Sequence, residues 1–253
     1  MKLTKIYIVI FIILIPVLIL AQDKNDKQIE IFLSEPGKSG ILNVDHVKGS
    51  INVSGYDGAL VIVNASFRQK DIENPREIQI ETQEKDNTVT VTTNLHSSTI
   101  DLDILVPKKF SLKLRTYHNG TVMVRNVSGE MEISNINGEI ILNEVSGSAV
   151  LNTVDGNINA SFIEVLQDLP MAFTTIYGNV DITFPADINA TVKMKSEYGE
   201  TSCDFAMRIE KKRSPRNTGS TQYVEEWIYG KINEGGAEIL IKSFDGNISI
   251  RKR

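Results

Sequence analysis

The sequence predicts an all-β fold, a single-stranded β-helix-like solenoid with short strands and glycine turns, wound as two-stranded coils of about 18–22 residues. Three observations predict it. Glycines recur every nine residues, apolar residues follow them at strand spacing, and the corner residues repeat at every second step.

Gly120, Gly129, Gly138, Gly147 and Gly156 each stand nine residues after the last, and Gly40, Gly49 and Gly58 keep the same step. Eight of the 17 glycines therefore lie on two ladders, the mark of a repeat architecture. Apolar residues follow each glycine at +2, +4 and +7. They are Val122, Val124 and Val127, then Met131, Ile133 and Ile136, then Ile140, Leu142 and Val145, then Ala149, Leu151 and Val154. The +2/+4 alternation is that of a strand with one buried face. Asn119, Ser128, Asn137, Ser146 and Asp155 precede the glycines and favour turns.

The deeper period is eighteen. Val127-Ser128-Gly129 returns as Val145-Ser146-Gly147, and Asn137-Gly138 returns as Asp155-Gly156. Two alternating corner types imply coils of two strands that stack in parallel around one core. An antiparallel meander of hairpins is the alternative, because Asn-Gly and Asp-Gly also suit type I′ turns.

The second half keeps this grammar with longer corners. Tyr177-Gly178 opens Val180, Ile182 and Phe184; Tyr198-Gly199 opens Thr201, Cys203 and Phe205, which puts Cys203 on an inward position. Asp103-Ile104-Leu105-Val106-Pro107 is echoed by Asp181-Ile182-Thr183-Phe184-Pro185, each proline closing a strand. Residues 59–106 are strand-like throughout. The best helical stretch, Phe162 to Leu169, is short and ends at Pro170. Residues 208–222 mix Arg208, Lys211, Lys212, Arg213 and Arg216 with Ser, Pro, Asn and Gly, and read as a long basic loop. Residues 238–250 supply two closing strands. No domain boundary interrupts residues 28–253.

Ahead of that domain, residues 1–21 read as a signal peptide and residues 22–27 as a polar linker. Lys2 and Lys5 precede the apolar run Ile6–Leu20, and Ala21 offers a small residue for cleavage. The run is short for a bilayer span of about 20 residues, and it contains Pro16. If uncleaved, it would be the chain's only membrane attachment. The predicted location is the periplasm, the outer cell surface or the medium.

Composition leans away from catalysis. The net charge of −5 gives no basic footprint for nucleic acid. One cysteine and three histidines exclude a disulfide framework and a multi-cysteine zinc site. Gly37-Lys38-Ser39 lacks the upstream glycine and the following helix of a phosphate-binding loop. His46, His96 and His118 lack ligand spacing, and the Asp-Gly corners at Asp57, Asp155 and Asp245 read as turns rather than calcium sites. Outward Glu130, Glu132 and Glu139 would serve a glycosidase only if two of them faced a cleft about 5–9 Å apart. No cofactor and no metal is expected. The candidate ligand contacts are Tyr223, Trp227 and Tyr229, which alternate as one face of a strand, with Arg213 and Arg216 beside them. They would stack on sugar rings or cap the open end of the solenoid.

The run Gly120 to Phe162 resembles the putative adhesin family, exported bacterial β-strand-repeat proteins built on a domain of unknown function. Further likenesses are Val106-Pro107, Phe184-Pro185, Gly235-Gly236, Asp245-Gly246-Asn247-Ile248 and the segment Gly49 to Gly58. The resemblance spans roughly residues 30–251. It implies a β-helix-like solenoid, no enzymatic activity and a role in adhesion or surface structure, and it carries no functional residues over. The expected function is a non-enzymatic exported module that binds a cell-surface glycan or envelope protein. A periplasmic scaffold or sensor, and a glycan-processing enzyme on the same scaffold, are the alternatives.

Overall fold

The computed structural model describes residues 26–67, 80–94, 99–166, 168–218 and 221–253. Among them every regular element is a strand. The first seven are β1 (Asp26–Phe32), β2 (Gly40–Lys48), β3 (Ile51–Tyr56), β4 (Leu60–Phe67), β5 (Ile80–Lys85), β6 (Thr88–Thr93) and β7 (Ile100–Pro107). The repeat block supplies β8 (Phe110–His118), β9 (Val122–Arg125), β10 (Ser128–Asn137), β11 (Ile140–Asp155), β12 (Ile158–Val165), β13 (Met171–Tyr177) and β14 (Val180–Phe184). β15 (Ala190–Ser196), β16 (Thr201–Cys203), β17 (Met207–Thr218), β18 (Thr221–Ile232), β19 (Glu238–Asp245) and β20 (Ile248–Lys252) complete the chain.

The pairings form two stacks. One runs β5-β6-β2-β8-β10-β11-β13-β19-β15-β18-β17. The other runs β1-β4-β7-β3-β9-β11-β12-β14-β20-β16. β11 belongs to both, because its sixteen residues turn a corner at Val145-Ser146 without a break in the strand. Each coil contributes one strand to each stack, and neighbouring coils pair in parallel, so the solenoid holds and the hairpin meander does not. Antiparallel strands appear only towards the two ends.

The coils are not stacked in chain order. The pair β2/β3 lies between β6/β7 and β8/β9. At the other end the last pair, β19/β20, is inserted between β13/β14 and β15/β16.

All eight +2 and +4 residues of the repeat block are at most 2 % exposed. Phe162, Phe173 and Phe184 fill the core further along, with Phe162 and Phe184 stacked at 5.3 Å. The +7 position divides by corner type. Val127 and Val145 are buried beneath the Val-Ser-Gly corners, whereas Ile136 and Val154 are exposed. The left-handed residues Asn126 (φ 55°) and Glu144 (φ 53°), eighteen apart, bend the chain just before the buried valines.

The other corner explains the glycine ladder. A β-carbon at Gly156 would stand 2.1 Å from the carbonyl oxygen of Gly138, and one at Gly138 would stand 2.1 Å from that of Gly120. Through Gly49, Gly120, Gly138, Gly156, Gly178, Gly246 and Gly199, in spatial order, backbone meets backbone with no room for a side chain. Three residues before five of these glycines, a polar side chain points inward and donates to the glycine carbonyl of the next coil. Asn135 reaches Gly120 (2.8 Å), Thr153 reaches Gly138 (3.1 Å), and Thr175 reaches Gly156 (2.9 Å). Ser243 reaches Gly178 (2.9 Å) and Ser196 reaches Gly246 (2.7 Å). One residue after the glycines runs an amide ladder. The side-chain oxygens of Asn157, Asn179 and Asn247 accept from the backbone N–H of Asn179, Asn247 and Glu200, each at 2.8 Å.

Two expectations are corrected. Residues 208–222 are not a loop, since β17 and β18 pair as a long hairpin from Met207↔Ile232 to Thr218↔Thr221. Cross-strand pairing satisfies that backbone even though its side chains are basic and turn-like. Asp26 and Lys27, assigned to the linker, open β1 and pair with Ser66 and Ala65. Phe162, where the best but short helical stretch begins, lies inside β12, in keeping with the all-β expectation. The signal segment and residues 22–25 lie outside the described residues.

Candidate functional site

β18 lies along β15 of the outermost coil and sets Lys193 opposite Tyr229 in register. The Lys193 ammonium sits 4.6 Å from the centre of the Trp227 ring and 5.9 Å from that of Tyr229. Lys195 lies 5.9 Å from the same indole and forms an ion pair with Glu197 at 2.6 Å. Trp227 and Tyr229 are half-buried. The structure thus brings these two predicted residues together, but their partners are lysines of β15 that the sequence reading did not include. A lysine over a ring is a cation–π contact, which ties the hairpin to the end coil and occupies that ring face. In the backbone register of the hairpin Arg216 is paired with Tyr223 and Arg213 with Glu226. The side chains of Arg213, Arg216 and Tyr223 lie outside the described residues.

Of the outward glutamates, Glu130 and Glu132 line one groove and Glu139 lies away from it. Glu132 faces Lys113 at 3.0 Å and Arg115 at 3.7 Å, while Glu139 accepts a hydrogen bond from Asn159 beyond the corner. The groove holding Glu130 and Glu132, about 570 Å³ and roofed by Leu169 and Pro170, is open and partly apolar. A second depression of about 400 Å³ on the other stack is lined by Arg125, Asn143, Ser161 and Asp181. There the Arg251 guanidinium grips the Asp181 carboxylate at 2.6–2.9 Å.

His118 is exposed at the end of β8, whereas His46 is fully buried with Nδ1 2.8 Å from the Thr93 hydroxyl. Burial pulls the His46 pKa below its ordinary 6.5, against smaller opposing effects of the Ile100 backbone and Asp101. His96 lies outside the described residues. Among the described residues no three His, Cys, Asp or Glu side chains are placed to hold a metal ion. Cys203 is partly buried on β16, and desolvation raises its thiol pKa, which disfavours the reactive thiolate.

Sequence reasoning missed the most unusual surface feature. Tyr117, Ile136, Val154, Ile176, Tyr177, Phe244 and Tyr198 are all exposed, and all stand at the glycine corner of successive coils. Tyr198 is 73 %, Tyr177 53 % and Phe244 42 % exposed. Phe244 meets both tyrosines edge-on, at 6.4 and 5.1 Å. The signal was present in Ile136 and Val154 of the +7 series, but strand period alone does not separate an inward from an outward corner residue.

This geometry defines an all-β solenoid with a glycine-lined corner and an apolar ridge outside it. The chain belongs to the Toastrack DUF4097 family, which matches residues 116–251. No curated protein matches it. It is similar in outline to the crystal structure of a putative cell adhesion protein from Clostridium sporogenes, at 13% identity and a TM-score of 0.48, covering 90% of this chain and 99% of that one. A putative adhesin from Bacteroides fragilis shares 13% identity at a TM-score of 0.39, covering 91% and 98%.

Proposed function

We propose that the chain is exported and works as a non-enzymatic, adhesin-like binding module of the cell envelope. The observation that carries the reading is the gathering of seven exposed apolar side chains on one ridge, because contiguous exposed apolar surface marks an interaction site. The rigid stack beneath supports it by holding each side chain at a fixed spacing along the axis. The basic, apolar and small-residue succession of residues 1–21 supports export. Deleting the gene and measuring adherence of the cells to host or glycan-coated surfaces tests the function. Loss of adherence, restored by the wild-type gene, is expected; unchanged adherence overturns the reading.

A further inference from the structure

We infer that the ridge is a binding platform for a single extended, neutral polysaccharide chain lying across the coils. The inference deepens the binding-module reading and rests on it. Tyr117, Ile136, Val154, Ile176 and Phe244 are rung neighbours, and Tyr198 extends the row into the next coil. Five steps at about 4.8 Å give a track about 24 Å long. It is one or two side chains wide. Seven side chains fall well short of the roughly 20–30 residues a stable protein partner engages on each side, so the shape suits a linear chain.

Main-chain recognition of a peptide is closed off, since the backbone at this corner is spent between coils. The carbonyls of Asn137, Asp155, Tyr177 and Asp245 accept from Gly120, Gly138, Gly156 and Gly178, and that of Phe244 accepts from Tyr198. Strand addition needs such groups free. What the ridge offers is ring surface with acceptors beside it. At the two positions before the glycines, from the coil of β10 to that of β15, the charged side chains are Asp155, Asp245 and Glu197, all acidic. Glu197 is already paired with Lys195. The exposed carboxylates of Asp155 and Asp245 repel an anionic polymer and accept hydrogen bonds from hydroxyls. A neutral glycan brings both complements, C–H faces for the rings of Tyr177, Phe244 and Tyr198 and hydroxyls for the carboxylates.

The test is native affinity electrophoresis of the full mature chain in gels containing hydroxyethyl cellulose, xyloglucan, glycol chitin or soluble starch. Polygalacturonate and polylysine gels run in parallel. Retardation by at least one neutral polymer is expected, and Tyr177→Ala/Phe244→Ala/Tyr198→Ala should weaken it at least about tenfold. These side chains are exposed, so the variant's thermal melt should match the wild type; Asp155→Asn/Asp245→Asn gives a second, non-aromatic probe and should weaken the same retardation. Retardation by none of the neutral polymers, by polygalacturonate or polylysine alone, or equally in both variants overturns the inference. Loss of adherence in the deletion strain without any neutral-glycan retardation would overturn the ligand class while leaving the adhesin-like reading standing.

Discussion

The buried Thr153 side chain donates its hydroxyl hydrogen bond to the carbonyl oxygen of Gly138 at 3.1 Å, across two neighbouring coils. Thr153→Val keeps the shape and leaves that carbonyl unpaired. A loss of about 1–3 kcal/mol is expected in chemical denaturation, with Thr153→Ser close to wild type. Equal stability of Val and Ser variants would show that the bond contributes nothing to the fold.

Gly156, three residues on, faces the same carbonyl. Gly156→Ala puts a methyl 2.1 Å from backbone oxygen, so two coils must separate. The variant should lose more than about 4 kcal/mol or fail to fold. Calorimetry checks this, at about 2–4 °C of Tm per kcal/mol for a chain of this size.

Ile133 and Leu142 are buried at +4 on the two strands of one coil. Aspartate at either place buries an unpaired charge and should cost on the order of 4 kcal/mol or more. An unchanged melt would contradict the inward assignment.

Glu144 is held at φ 53°, where a side-chain-bearing residue is strained by about 1–2 kcal/mol. Asparagine tolerates this conformation and already occupies the equivalent corner as Asn126. Glu144→Asn gives up an exposed 3.4 Å ion pair with Arg253, of little value, and should raise the guanidinium midpoint.

His46 makes stability pH-dependent. Its folded pKa lies below the unfolded 6.5, so the unfolded chain takes up the proton first. Its contribution is complete above about pH 6.5 and falls as pH drops from there through the folded value. His46→Gln should flatten stability between about pH 7 and 5 relative to wild type, measured by denaturant titration.

Much of the coil geometry was legible because each glycine answers a local demand, the closeness of two backbones, and each +2/+4 residue a second, burial. The order of the coils was not legible. β19/β20 enters between β13/β14 and β15/β16 through backbone pairing that any short alternating strand satisfies, so nothing in Ile239 or Ile248 names its neighbour. The hairpin was missed because Lys211, Arg213 and Pro215 resemble loop residues, and their pairing with β18 is set by tertiary context. The aromatic half of the predicted site, Trp227 and Tyr229, was visible as an alternation, but Lys193 and Lys195 come from a strand over thirty residues earlier. The ridge was hidden because its members are about 18–22 residues apart in the repeat block and farther still at Phe244 and Tyr198.

Export to the cell surface is open to protease shaving of intact cells, with a permeabilised control. Cleavage of the mature chain on intact cells is the predicted result for an outer-surface adhesin, and protection lost on selective opening of the envelope would place it in the periplasm as a scaffold or sensor. Protection until the cytoplasm itself is lysed would contradict export and the function built on it.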